Sequence, residues 1–65
     1  MDVQNERMTL SVSEAADILG VSRPSLYQLI DKPGFPSFRV GRRVLISRAG
    51  LARWVEQQTE GADNV

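Results

Sequence analysis

The apolar positions of this chain form three stretches of helical period and one of alternating period, each bounded by a cap or a breaker. From residue 10 to residue 20, Val12, Ala15, Ala16 and Leu19 recur at spacings of three and four, and Ser13, Glu14 and Asp17 fall on the other side. Ser11 is placed to N-cap this helix, Glu14 completes a capping box, and Leu10 and Ala15 occupy staple positions. Gly20 tolerates the left-handed backbone that ends many helices, so the predicted span is Val12 to Leu19. A second helix is predicted from about Arg23 to Asp31. Ser22 caps it, Pro24 sits in the first turn where a missing N–H costs little, and Leu26, Leu29 and Ile30 form its inward stripe. Lys32-Pro33-Gly34-Phe35-Pro36 breaks the pattern, with Phe35 expected at the edge of the core. A third helix, capped by Ser47, is predicted from Arg48 to about Gln58, with Leu51, Trp54 and Val55 turned inward.

Between the second and third helices, SFRVGRRVLI (37–46) reads as a β-hairpin. A two-residue loop at Gly41-Arg42 suits a type II′ turn, which wants Gly first, but splits the apolar residues between the two faces. A three-residue loop at Gly41-Arg42-Arg43 pairs Val40 with Val44 and Phe38 with Ile46 on one face, and is preferred because an apolar face specifies register most strongly. Residues 1–9 read as a flexible arm and 59–65 as a fraying tail, leaving residues 10–58 as one domain. Helix, glycine turn, helix is the sequence form of a helix-turn-helix, and the hairpin beside it suggests a wing. The expected fold is therefore mainly α with a small β-hairpin, a winged helix-turn-helix.

The outward side chains of the second helix suit a DNA groove. Arg23 can reach a phosphate or a guanine edge, Gln28 an adenine edge, and Tyr27 a phosphate, a thymine methyl or the rim of the core. Ser22 and Ser25 lie at the positive end of the helix dipole, where backbone N–H groups face outward. Arg42 and Arg43 at the hairpin tip, with Arg39 beside them, suit a phosphate backbone or a narrow minor groove, although charge on a short hairpin also guards a strand edge. Arg48 opposes the dipole of its own helix, and a DNA phosphate is the simplest partner to offset that. Trp54 lies at core spacing.

The charge distribution supports this picture where the total does not. The 65 residues carry a formal net charge of zero. Residues 1–22 carry −3, residues 23–53 carry +6 and residues 54–65 carry −3. A basic middle between acidic ends is what a polyanion-binding face needs, and most of its cations are Arg, whose fork donates two parallel hydrogen bonds. With no Cys and no His, disulfide, zinc and Cys- or His-nucleophile chemistry are excluded, and the acidic residues before Lys32 show no paired spacing for general acid–base work. No cofactor, metal or enzymatic activity is expected. No apolar run approaches the roughly 18–20 residues of a membrane span, and a cytoplasmic, nucleoid-associated location is expected.

Three runs carry a family resemblance: EAADILGVSR (14–23), LYQLI (26–30) and RVGRR (39–43). Together they resemble the excisionase-type winged helix-turn-helix proteins, related in fold to the MerR-type DNA-binding domain, over about residues 9–57. That resemblance implies that Ser22, Arg23, Ser25, Tyr27 and Gln28 face the major groove and that Arg42 and Arg43 make the wing contact. Gln28 stands where members often carry a basic residue, which lowers the phosphate contribution and keeps base readout. The family includes phage and mobile-element excisionases, AlpA-like transcriptional regulators and small bacterial proteins. The expected partner is double-stranded DNA, bound as a recombination directionality factor or a small transcription regulator, with cooperative self-association on DNA. The alternative is an adaptor that recruits an integrase or RNA polymerase.

Overall fold

A computed structural model of the chain describes the backbone of residues 7–63 and the side chains of residues 7–60. Six elements follow in order: β1 (Thr9–Leu10), α1 (Val12–Leu19), α2 (Arg23–Ile30), β2 (Ser37–Val40), β3 (Arg43–Ser47) and α3 (Arg48–Asp63). Local chemistry sets both ends of α1. The Glu14 N–H donates to Ser11 Oγ at 3.1 Å and the Ser11 N–H donates to Glu14 Oε1 at 2.8 Å, a reciprocal capping box. At the other end Gly20 takes φ +75°, the Val21 N–H reaches Ala16 O at 3.0 Å and the Gly20 N–H reaches Asp17 O at 3.2 Å, a Schellman closure. One residue later Ser22 Oγ accepts the Ser25 N–H at 3.2 Å and starts α2, with Pro24 in its first turn.

The strands form one antiparallel sheet in the order β1-β3-β2. Its third strand, β1, takes in Thr9, so the expected arm ends sooner than residue 9; residues 1–6 of that arm lie outside the described residues. Thr9 pairs with Ser47 and Leu10 with Ile46, and the Arg48 N–H donates to Met8 O at 2.9 Å. Pairing to a distant strand supplies the order that the short run 7–9 lacks by itself.

The hairpin register differs from the preferred expectation. Val40 pairs with Arg43, Phe38 with Leu45 and Ser37 with Ile46, which leaves a two-residue loop of Gly41 and Arg42. Gly41 has φ +61° and, among the described residues, no non-glycine residue has positive φ, the pattern of a type II′ turn, whose twist matches the flanking strands. Turn geometry outweighs the apolar face here. Leu10, Ile46, Ser37, Val44 and Arg39 share the side that packs on the helices, and Thr9, Leu45, Phe38, Val40 and Arg43 share the other. Phe38 and Val40 are consequently 46% and 53% exposed.

The core is small: Leu10, Ala15, Ala16, Leu26, Phe35, Ile46 and Leu51, with Val12, Leu19, Leu29, Ile30 and Trp54 packed on it. Phe35 closes its edge against Trp54, ring edge to face at 5.1 Å. Ser47 Oγ caps α3 by accepting the Gly50 N–H at 3.0 Å. Two expectations for α3 are corrected. Val55 is exposed rather than inward, standing at the rim of an open apolar hollow between α3 and Ile18 and Leu19 of α1. The helix also runs on to Asp63, beyond the predicted end at about Gln58. Only Gly61 opposes it there, and Gly costs a helix about 1 kcal/mol, where Pro would stop it.

Candidate nucleic-acid interface

Leu26 anchors α2 in the core, and its helical neighbours turn the other way: Arg23, Ser25, Tyr27 and Gln28 are exposed, with Ser22 at the cap. Tyr27 is 52% exposed, with the rest of its surface covered by the fold. Ser22 Oγ donates to Ser25 Oγ at 3.0 Å, so the two hydroxyls form one polar step at the start of the helix. In the hairpin Arg39, Arg42 and Arg43 are all exposed. The register separates them: Arg39 lies on the side facing the helices, Arg42 in the turn, and Arg43 on the outer side opposite Val40.

The first turn of α1 lies between these two groups. Ser13 shares a shallow depression with Arg23, Ala16 and Val21, and Glu14 and Asp17 line it from the α1 side. Ser11, two residues earlier, shares another with Arg43 and Val40. The start of α2 and the outer side of the wing therefore flank a common element. Among the described residues, the only guanidinium that donates a hydrogen bond is that of Arg48. Among the described residues Arg23, Arg39, Arg42 and Arg43 donate no hydrogen bond, and each guanidinium presents five N–H groups.

Arg48 is held differently from the other basic residues. It is half-buried, and its Nε donates to Arg7 O at 2.6 Å while its backbone N–H donates to Met8 O. The fold itself thus offsets the unfavourable place of this cation at a helix start, by fastening β1 to α3. Glu14 stands close by, in a hollow shared with Arg7, Asp17 and Arg48. The Ser11 N–H donated to its carboxylate holds Glu14 below the ordinary carboxyl range, and the positive fields of Arg7 and Arg48 act in the same direction. Sequence reasoning passed over Arg7 and Thr9, since a two-residue strand carries no period and its partner is far along the chain.

Among the described residues no group of three or more acidic side chains converges where a metal ion could sit, and no helix is long and apolar enough to cross a membrane. The family of helix-turn-helix domains matches the chain over residues 9–59, from β1 into the exposed part of α3. Among curated proteins and among solved structures, none matches.

Proposed function

The chain belongs to this helix-turn-helix family of excisionase-like DNA-binding domains, and from that premise we propose that it docks α2 in the major groove and lays the β2–β3 wing on the adjoining backbone or minor groove. Arg23 and Gln28 read base edges in this arrangement, and Tyr27 reaches a phosphate or a thymine methyl. The backbone N–H groups beside Ser22 and Ser25 meet a phosphate at the helix start. Arg42 and Arg43 follow the groove edge, and Arg39 faces the gap between wing and helices. Arg48, with Nε engaged, retains its terminal N–H groups for a backbone contact. The observation that carries this reading is the flanking of α1's first turn by Arg23 on one side and Arg43 on the other.

One chain of this size covers little DNA, so a single site is weak and neighbouring copies reinforce one another. That suits a recombination directionality factor, which loads adjacent sites and bends DNA so that an integrase assembles for excision. It also suits a small regulator at one promoter. Footprinting on DNA flanking the protein's own gene separates them: tandem protected repeats beside an attachment site mean excision, and a lone protected operator means regulation. Protection of neither, with no duplex bound at low salt, rejects the DNA-docking arrangement.

A second reading rests on α3. Every described side chain from Val55 to Glu60 is exposed, and this part of the helix carries Glu56 and Glu60. Such a projecting acidic helix is available to recruit an integrase or RNA polymerase. Deleting residues 56–65 leaves DNA binding intact and abolishes recruitment if this second reading holds.

A further inference from the structure

Strand β1 carries Arg7 up to the wing, and the docking arrangement above gives this residue no task. Arg7, Thr9, Ser11 and Arg43, with the apolar Val40 and Leu45, line a hollow of about 230 Å³ on the outer side of the sheet. The observed register creates it. With Val40 opposite Arg43, Arg43 lies on the same face as Thr9, whereas the three-residue loop would have placed Arg43 in the turn. Among the described residues no carboxylate lines the hollow. Glu14 lies to the other side of Arg7, its carboxylate accepting the Ser11 N–H at 2.8 Å. Ser11 Oγ accepts the Glu14 N–H, and its hydroxyl also serves the Glu14 carboxylate, which leaves Thr9 as the hydroxyl facing the hollow. Two guanidinium forks and the Thr9 hydroxyl around a concave space match the oxygens of a phosphodiester.

We propose that this hollow seats one phosphate of the bound duplex, with Arg7 and Arg43 donating to the same group. The proposal rests on the DNA-binding reading and adds a backbone contact across α1 from Arg23. In helix-turn-helix complexes the first helix crosses the backbone. Here the first turn of α1 separates the hollow at Arg7 and Arg43 from the depression at Arg23, which Glu14 and Asp17 also line, so the hollow is the side of that turn that suits a phosphate.

The test is fluorescence anisotropy of a mixed-sequence duplex titrated with the full chain as wild type, R7A, R43A and R7A/R43A, across a salt series. The Arg7 side chain is exposed and the Arg48 bond uses its backbone oxygen, so thermal melts confirm that all four chains are folded. Losing either arginine opens the site. The three variants are therefore expected to bind more weakly by similar factors, each with a salt slope shallower by about 0.9, so that the wild-type advantage shrinks about 3.5-fold between about 50 and 200 mM salt. A double variant weakened by the product of the two single losses means two separate contacts and overturns the shared seat. An R7A chain equal to wild type in affinity and slope, with R43A impaired, removes Arg7 from the interface. Both of those results leave DNA binding standing. A wild-type chain that binds no duplex at low salt instead defeats the reading beneath the proposal.

Discussion

Replacing Gly50 with Ala probes how closely α3 is seated on the loop that leads into the wing. A Cβ at this position would lie 2.7 Å from Pro36 Cβ, 3.1 Å from Ser47 Oγ and 3.2 Å from Ser47 Cβ. The nearest of these atoms belongs to a ring that cannot rotate aside. Pro36 is further tied in place, because its carbonyl accepts the Ser47 N–H at 2.9 Å. In an open helix, Gly to Ala gains about 1 kcal/mol of propensity. Forcing a methyl into a filled space costs about 1–3 kcal/mol, so the middle of that range leaves a net loss of about 1 kcal/mol. In a domain this small, that lowers the melting temperature by about 4–8 °C. The assay is a thermal melt by circular dichroism at fixed concentration, with DNA affinity of the folded chain measured well below the transition and expected to be unchanged. A variant that melts at or above the wild-type temperature refutes the close seating of α3 on Pro36.

Three further outcomes follow from the described geometry. R42A/R43A weakens binding to all duplexes alike and flattens the salt slope, with little change in the thermal melt; an unchanged slope takes the wing out of the interface. Gln28→Ala relaxes preference at one base position by about 1–3 kcal/mol in a competition assay, whereas equal losses on every sequence mean that Gln28 reads no base. Glu14 has its carboxyl held below the ordinary 4.5 by the Ser11 N–H. Its contribution to stability is therefore present above that value and is lost as pH falls through the lower folded pKa. Glu14→Gln keeps the capping geometry but lacks the charge, so it melts below the wild type at pH 7 and the two melts converge on acidification below about pH 4.5; parallel acid curves for the two chains contradict this.

What the sequence made legible was whatever is decided within a few residues. The Ser11–Glu14 box, the Gly20 stop, the Ser22 cap and the Ser47 cap each depend on neighbours in the chain, and α1 spans Val12–Leu19 as expected. The inward stripe of α2 and the place of Phe35 were legible for the same reason: period and breaker are local signals. The misread features depend on distant partners or on competing local forces. The register set a turn preference at Gly41 against an apolar face, and the turn prevailed, leaving Phe38 and Val40 outside. Strand β1 exists only through β3, so nothing in residues 7–10 announced it. Arg48 looked out of place at a helix start because its partner, the Arg7 carbonyl, lies in the run leading into that unannounced strand. Among the candidate interface residues, chemistry and outward direction were readable for α2, whereas the division of Arg39 and Arg43 between opposite sides of the wing waited on the register.

The outer strand of the wing has a consequence for how the free protein behaves in solution. Strand β2 ends the sheet, so one row of its backbone N–H and C=O groups meets no neighbouring strand, and Phe38 and Val40 stand half uncovered beside it. That combination is a template for stray sheet extension, and Arg39 between the two apolar residues is the charge that discourages a second copy from adding itself there. The arginines that equip the hairpin for a polyanion thus also keep the unliganded molecule dispersed, and stripping them would trade a weaker ligand grip for a stickier protein.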